Sequence, residues 1–215
     1  MYPELINIIL LTLKVSGLAL LIAILIGISL GIYLALHDFP FKKIVVGVIN
    51  TGMGLPPVVV GLLVMLFLWR GGPLGFLDLI YTPWAMICAQ VILATPIIAG
   101  LTMATIQQIP QKMKWQALAL GANNLQLAWL LAKETRLSLL AAVMAGFGGI
   151  ISEVGAVMMV GGNIKGQTRV LTTAIVLESQ KGAFELAIAL SVVLLLLLFS
   201  VNFGLTMIQQ RTKKS

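Results

Sequence analysis

The sequence predicts an all-α, polytopic membrane protein with five transmembrane helices. Of its 215 residues, 60% are hydrophobic and only 10% are charged, whereas soluble domains carry about 25% charged residues. Five apolar runs are each long enough for a membrane helix, which needs roughly 20 residues. A chain of this length and composition is expected to form one membrane domain over residues 1–215.

The five predicted spans are separated by polar segments. The first span is long and contains Lys14, so it is expected to start in the membrane interface, where a lysine stem can reach water, or to tilt strongly. Its start lacks a basic segment and a small-residue cleavage site, so it is expected to be retained. In chain order the spans are Leu5–Leu36, Ile44–Trp69, Trp84–Ile106, Leu137–Val160 and Phe184–Ile208.

The positive charges are unequally divided between the two sides of this arrangement. Nine lysines and arginines share one side and four share the other, and the richer side is cytoplasmic. The N-terminus is therefore predicted outside and the C-terminus inside. A sixth span at 115–132 would leave seven against six and put four amide side chains in hydrocarbon. The nine are Lys42, Lys43, Lys112, Lys114, Lys133, Arg136, Arg211, Lys213 and Lys214, and the four are Arg70, Lys165, Arg169 and Lys181.

Two adjacent prolines interrupt the second span close to the predicted bilayer centre. Pro56 and Pro57 each lack a backbone donor and crowd the preceding turn, so they are expected to break the helix. Broken helices at this depth are tolerated where they are buried in protein or line a cavity. The two prolines are therefore candidates for the translocation pathway, and a simple packing kink is the alternative.

Polar residues in and after the fourth span are further pathway candidates. A carboxylate inside a membrane helix faces protein or water rather than lipid, which applies to Glu153. Glu153 is expected to accept structural hydrogen bonds rather than to bind an anion directly. Thr172 could line a polar path below the outer loop, although threonine is also common in helices that line nothing.

The outer loop after the fourth span combines glycines with cations. The run GGNIKG has a composition that favours turns with exposed backbone N–H groups. Such groups together with cations suit an oxyanion, and they equally suit the acidic surface of a binding protein. The predicted contact residues are Asn163, Lys165 and Arg169.

Residues 112–136, KMKWQALALGANNLQLAWLLAKETR, are too polar to span the bilayer and too apolar for an ordinary loop. Gly121 can adopt the positive φ that ends a helix, and the following Asn-Asn pair can cap another. The stretch predicts two short cytoplasmic helices, Met113–Leu120 and Leu125–Lys133. Their apolar residues fit either a groove on a protein partner or the lipid headgroup region. These residues are Trp115, Leu118, Leu125 and Trp129.

The same stretch resembles the cytoplasmic loop of permease subunits from ATP-binding-cassette importers of the type I fold. That loop carries Glu-Ala-Ala, three residues, Gly, nine residues and Ile-x-Leu-Pro. When the two are aligned on Gly121, Ala117 matches the second alanine and Leu131 takes the isoleucine position. The positions that depart from the pattern are Trp115, Gln116, Lys133 and Glu134.

Two further segments extend the resemblance to about residues 10–205. GLPPVVVGLLVML (54–66) resembles the second-span motif of molybdate, tungstate and sulfate permeases. EVGAVMMVGGNIKGQTRVLTTAIVLESQKG (153–182) is similar to the corresponding segment of tungstate permeases. The resemblance implies import of an oxyanion, first tungstate, with molybdate or sulfate as alternatives.

The resemblance also implies partners in a prokaryotic cytoplasmic membrane. These are a second copy of the chain, a dimer of ATPase subunits that holds ATP and Mg²⁺, and an extracytoplasmic binding protein. The cytoplasmic helix pair would dock on the ATPase. The docking residues would be Trp115, Ala117, Leu118, Gly121, Ala122, Leu125 and Trp129.

Other function classes fit the sequence less well. The chain has no Gly-x-x-x-x-Gly-Lys-Ser/Thr phosphate loop, so it is not expected to be the ATPase. A membrane enzyme would need clustered acids, bases or metal ligands, yet His37 is the only histidine and Cys88 the only cysteine. No catalytic residue, metal, cofactor or nucleic acid is therefore expected. An ATP-independent carrier or channel is the other alternative, although no internal repeat is evident.

Overall fold

The computed structural model describes residues 2–212, with side chains described for residues 4–210. Within this part the chain forms ten α-helices, one 3-10 turn at Gly75–Leu77 and no strand, which confirms the all-α prediction. The helices are α1 (Tyr2–Leu36), α2 (Lys42–Met53), α3 (Pro57–Leu68), α4 (Pro83–Gln107), α5 (Gln111–Ala119), α6 (Asn124–Glu134), α7 (Arg136–Ile151), α8 (Gly155–Gly161), α9 (Leu171–Gln180) and α10 (Phe184–Thr212).

Three helices, α1, α4 and α10, are each long and apolar enough to cross a membrane alone. Two bent pairs also qualify if each is counted as one span: α2 with α3, bent by 109°, and α6 with α7, bent by 77°. By length and composition the described residues therefore provide up to five spans, the number that the sequence predicts, but the second pair joins α7 to α6, which lies outside the predicted fourth span Leu137–Val160. The short helix α9, with ten residues, cannot cross.

The second predicted span is broken at the two prolines, as expected. Helix α2 ends at Met53, Pro56 is extended with φ −61° and ψ 121°, and Pro57 is the first residue of α3. Proline suits this first position because the missing N–H would have no helical partner there. The break redirects the chain by 109° within a few residues.

The prediction of an unbroken fourth span, Leu137–Val160, is wrong. Helix α7 ends at Ile151, and the chain resumes as α8 only at Gly155. Side chains bond to the backbone on both sides of the break: the Ser152 hydroxyl donates to the Gly148 carbonyl over 2.7 Å, and Oε1 of Glu153 accepts from the Ala156 N–H over 2.9 Å. The apolar pattern continues across the break, so hydropathy alone does not reveal it.

Helix α1 packs closely along α4 at the centre of the bundle. A Cβ atom built on Gly31 would lie 2.6 Å from the Ala99 carbonyl oxygen, and one on Gly27 would lie 2.9 Å from the Ile98 side chain. Glycines four residues apart allow membrane helices to approach in this way. The main core cluster includes Ala19, Ala23, Ala85, Met86, Ala89 and Ile98.

The bundle has two distinct ends. At the end that carries the outer loop, which we call the loop end, the Tyr81 N–H donates to the Val160 carbonyl over 2.9 Å and so joins the segment before α4 to the end of α8. At the other end, which we call the hairpin end because helices α5 and α6 lie there as a hairpin, Ile106 at the end of α4 packs with Leu131 of α6 and Leu36 of α1. The charge count behind the predicted orientation includes the Arg211 side chain, Lys213 and Lys214, which lie outside the described residues.

The turn between α1 and α2 lies at the hairpin end and carries an exposed ion pair. The Lys42 ammonium donates a 2.8 Å hydrogen bond to Asp38. This hydrogen bond, with the attraction between the two charges, holds the pKa of Asp38 below its ordinary value.

Candidate functional site

The predicted helix pair is present as a hairpin made of α5 and α6. Helix α5 ends in a Schellman motif, in which the Ala122 N–H bonds to the Ala117 carbonyl over 3.1 Å and the Gly121 N–H bonds to the Leu118 carbonyl over 3.0 Å. Gly121 has φ +86°, the left-handed conformation that the motif requires. The turn between the helices therefore depends on glycine at this position.

Helix α6 begins with a complete capping box. The Gln126 N–H donates to Oδ1 of Asn123 over 2.8 Å, and the Asn123 N–H donates to Oε1 of Gln126 over 2.9 Å. Of the two candidate caps, Asn123 is thus the capping residue and Asn124 is the first helical residue. The Schellman motif at the end of α5 and the capping box at the start of α6 therefore fix the turn by hydrogen bonds within the hairpin itself.

The hairpin presents apolar side chains to its surroundings on one surface and packs on the bundle with the other. Leu125 is 81% exposed, and Trp129 is exposed with the Lys133 ammonium 5.2 Å from its ring centroid. Ala117, by contrast, is buried against the bundle, and Ala122 is half-buried. The other two predicted contact residues, Trp115 and Leu118, are exposed.

A surface depression of about 750 Å³ follows the turn of the hairpin, and Gly121, Leu125 and Trp129 lie on it. Leu120 also lines the depression and is 89% exposed, although the sequence reasoning missed it as a contact residue. Leu120 lies directly before Gly121, the glycine at which α5 ends, and this position was the signal that could have identified it. We call Leu120, Leu125 and Trp129 the hairpin knobs.

The two helix breaks meet at one small cavity. The cavity has a volume of about 120 Å³ and is bounded by Pro57 at the first break, by Glu153 at the second, and by α4 residues such as Ala94 and Ile97. Pro56 is exposed and does not line it. Two pathway candidates that are 96 positions apart in the sequence are therefore brought together.

Glu153 accepts a structural hydrogen bond, as the sequence reasoning expected. Its Oε1 accepts from the Ala156 N–H over 2.9 Å, in the first turn of α8. Its backbone carbonyl accepts from the Thr172 hydroxyl over 2.9 Å. Thr172 is buried, so it holds α9 against the break rather than lining an open path.

The outer loop forms a compact unit rather than an open one. The side chain of Arg169 donates to the side chain of Asn163 over 3.3 Å and to its carbonyl over 3.4 Å. Several loop amides are satisfied within the protein, which corrects the expectation of freely exposed N–H groups. These amides belong to Gly162, Ile164, Gln167, Thr168 and Arg169.

The loop cations have a partner that the sequence reasoning missed. The carboxylate of Glu4 lies 3.0 Å from the Lys165 ammonium and 3.9 Å from the Arg169 guanidinium. Glu4 is near the start of α1, far from the loop in sequence. The signal in the sequence that could have identified this partner is an acidic residue, Glu4, in the first turn of a long helix.

The described residues contain no group of three or more His, Cys, Asp or Glu side chains that could hold a metal ion. Three buried polar atoms have no hydrogen-bond partner among the described residues: Oε1 of Gln90 and the hydroxyls of Thr95 and Thr102. All three lie on α4, and the sequence reasoning did not single them out.

The broken helices, the small cavity between them and the amphipathic hairpin are the architecture of a transporter permease subunit. A chain of the MetNI methionine ABC transporter in an inward-facing conformation superimposes with a TM-score of 0.80 over 97% of this chain and 95% of that chain. The sequence identity is 17%, so this likeness concerns the fold.

Sequence comparison gives the family. The family model described as the binding-protein-dependent transport system inner membrane component matches residues 8–214, and the chain belongs to this family. A probable anion ABC transporter permease protein of Haloferax volcanii is 42% identical over 89% of this chain and 84% of that protein. The tungstate uptake system permease protein TupB of Peptoclostridium acidaminophilum is 41% identical over 97% of this chain and 91% of that protein.

Proposed function

We propose that this chain is the permease subunit of an ATP-driven importer and forms the membrane pathway for tungstate. The observation that carries the proposal is the 41% identity to a tungstate uptake permease over nearly the whole of both chains. Similarity to sulfate and molybdenum permeases is weaker, at 26% to 29% identity. Tungstate is therefore the first candidate, and molybdate and sulfate are the alternatives.

The α5–α6 hairpin is the proposed docking element for an ATPase subunit. Its exposed apolar residues are Trp115, Leu118 and the hairpin knobs, and they suit a groove on a cytoplasmic protein. Gly121, Ala117 and Ala122 set the shape of the turn beneath them. ATP and Mg²⁺ would bind on the ATPase dimer, and this chain would bind no cofactor of its own.

A second copy of the chain is proposed to complete the pathway. Helix α7 leaves a stripe of small exposed residues, Ala141, Ala145 and Gly149, of the kind that lets membrane helices approach closely. Within the most apolar stretch of α10, only 11% is buried against the rest of the chain. A twofold arrangement would cover such surfaces on both copies at once.

The proposed orientation places the hairpin end in the cytoplasm and the N-terminus outside. The loop end would then face an extracytoplasmic binding protein that delivers the anion. Lys165 is exposed there and is proposed to meet the anion or the delivering protein, while Asn163 and Arg169 hold the loop in shape. The cavity at Pro57 and Glu153 would be a point where the two broken helices move relative to each other.

An ATP-independent carrier or channel is a weaker alternative, because the family is described by its dependence on a binding protein. The two can be separated by uptake measurements. The chain would be expressed with its ATPase and binding protein in cells that lack tungstate uptake, and cell tungsten would be measured by mass spectrometry. We expect uptake from micromolar tungstate, competition by molybdate more than by sulfate, and no uptake with a hydrolysis-deficient ATPase. Uptake that persists without ATP hydrolysis would contradict the proposal.

A further inference from the structure

Helix α2 runs from the hairpin end of the bundle to the first helix break, and only one side of it packs on the chain. Ile49 and Gly52 are buried on that side. A Cβ atom built on Gly52 would lie 2.8 Å from the ring of Pro96, and one built on Gly100 would lie 3.6 Å from the Ile49 side chain. The packed side of α2 therefore rests on α4, and the opposite side is left uncovered by the described residues.

The uncovered surface of α2 is divided into a polar face and an apolar face. The apolar face carries Ile44 and Val48, which are 63% and 66% exposed. The residues of the other face are exposed, polar or small, and recur every three or four positions, so they lie on one line along the helix. We call them the α2 polar face; they are Lys43, Gly47, Asn50, Thr51 and Gly54. A helix with this division meets two different surroundings.

Asn50 lies at the level of the hydrocarbon core. The residue before it, Ile49, lies beside Gly100, which precedes Gln107, the last residue of α4, by seven positions. Seven positions are about 10 Å along a helix, and the same number separates Asn50 from Lys43. Helix α4 is about 37 Å long and the hydrocarbon core is about 30 Å thick. When α4 is centred in the core, Asn50 is thus about 7 Å inside its hairpin-side surface.

An unpaired amide at this depth does not face lipid. Among the described residues, the exposed side chain of Asn50 has no hydrogen-bond partner. Polar groups in hydrocarbon are costly unless they are paired, and those found at this depth face protein or water. The α2 polar face therefore meets either a second copy of the chain or an aqueous space.

The charge on the α2 polar face favours the aqueous space. Around a twofold axis along the membrane normal, a residue at a packed α2–α2 contact would meet the same residue of the second copy. Lys43 would then lie against an identical cation, and it makes no ion pair among the described residues that could relieve the repulsion. No atom lies within 4 Å of a Cβ built on Gly47, so the middle of the face is also open.

The hydrogen-bonding groups of this face suit an anion in transit. The Thr51 hydroxyl already donates to the Gly47 carbonyl over 2.9 Å, so its proton is occupied. The Asn50 amide keeps two N–H donors and carries no charge. An uncharged donor suits a pathway, where an ion must be held strongly enough to enter and weakly enough to leave. The face ends beside Gly52 and Met53, which line the cavity at the two breaks.

We propose that the α2 polar face lines the hairpin-side half of the anion pathway and that Asn50 donates hydrogen bonds to the oxyanion as it passes from the cavity at the breaks toward Lys43. This inference rests on the proposed importer function and names a residue that contacts its substrate. Lys43, at the mouth, attracts the anion toward the hairpin end.

The first test is the reaction of single cysteines with an anionic thiosulfonate reagent in the complete importer, held in lipid nanodiscs with and without ATP. Cys88, the only cysteine, is first replaced by Cys88→Ser. Asn50→Cys should react about ten-fold faster than Val48→Cys in at least one state, because the reagent attacks the thiolate, which forms in water rather than in lipid. Val48 is the matched control, since it lies nearer the hairpin end and is equally exposed, but on the apolar face.

Two outcomes of this test would overturn the proposal. Equal reaction rates of Asn50→Cys and Val48→Cys in both states would place the polar face in lipid. An unreactive Asn50→Cys that forms a disulfide between two copies on mild oxidation would identify a packed contact between copies instead. If Asn50→Cys cannot be purified, Gly47→Cys takes its place, and its reaction at the rate of Val48→Cys overturns the proposal equally.

The second test measures tungstate uptake by the same importer in cells. Asn50→Leu should lower the uptake rate about ten-fold, the effect of one hydrogen bond to a charged group, with the amount of importer in the membrane unchanged. Asn50→Gln keeps the donors and should retain most of the uptake, and the control Val48→Leu should retain all of it. Full uptake by Asn50→Leu would overturn this inference and leave the importer function standing. Absence of uptake by the unmodified chain would contradict the importer function, and the cysteine reactions would still decide whether the polar face is in water.

Discussion

The hydroxyl of Thr172 donates a 2.9 Å hydrogen bond to the backbone carbonyl of Glu153, and this bond fastens α9 to the break between α7 and α8. The next residue toward the start of α9 is also fastened, because the Leu171 N–H donates to the hydroxyl of Thr12 on α1 over 3.0 Å. Helix α9 therefore connects the second break to α1.

Replacement of Thr172 by valine should destabilise the protein. The side chain keeps its shape but leaves a buried carbonyl without its donor, which costs about 1–3 kcal/mol. The check is thermal unfolding of the purified chain in detergent. Thr51→Val is the control, since the Thr51 hydroxyl bonds only to a carbonyl of its own exposed helix turn. Equal unfolding temperatures for the two variants would show that the Thr172 bond contributes nothing.

Glu153 should be needed for its hydrogen bond rather than for its charge. Glu153→Gln keeps an oxygen that can accept from the Ala156 N–H and should retain stability and uptake. Glu153→Ala loses that acceptor and should lose about 1 kcal/mol of stability. Unfolding and tungstate uptake would be measured on both. A Gln variant that is stable but transports nothing would assign a role in transport to the carboxylate charge.

Substitutions at Gly121 should follow the backbone conformation of the residue. No atom lies within 4 Å of a Cβ built there, so space is not the obstacle. A left-handed conformation costs most residues about 1–2 kcal/mol, but asparagine adopts it more readily. Gly121→Asn should keep ATP hydrolysis coupled to uptake, and Gly121→Val should uncouple them. Equal coupling ratios in the two proteins would remove the turn from the docking assignment.

Two leucines on α6 should separate docking from folding. Leu125 is 81% exposed and Leu127 is 6% exposed. Leu127→Ala should cost about 2–4 kcal/mol of stability because it opens a cavity in the packing of the hairpin on the bundle. Leu125→Ala should leave stability unchanged and lower the amount of ATPase that co-purifies with the chain. Full recovery of the ATPase with Leu125→Ala would argue against docking through this knob.

Local signals in the sequence predicted the first break and the hairpin. Pro56 and Pro57 act through their own covalent structure, and Gly121 and the asparagine cap act within a few residues. These effects do not depend on distant parts of the chain. The number of spans and the ends of α5 and α6 were therefore accessible before the structure.

The second break and the outer loop depend on contacts between distant residues. The break after Ile151 is held partly by Thr172, and the loop cations are held by Glu4, more than 150 positions away. Hydropathy reports composition along one segment and contains no information on such pairings. This is why the fourth span was predicted as continuous and why the loop amides were expected to be free.

The hairpin turn is held by its own backbone and by the Asn123–Gln126 pair, while the hairpin knobs take no part in those bonds. Shape and surface chemistry are therefore encoded at separate positions. Trp115, which stands where the family loop has a glutamate, can vary without altering the turn. A chimaeric importer could in principle be made by exchanging only the exposed side chains of this hairpin to match the ATPase of another transporter, with the scaffold left as it is.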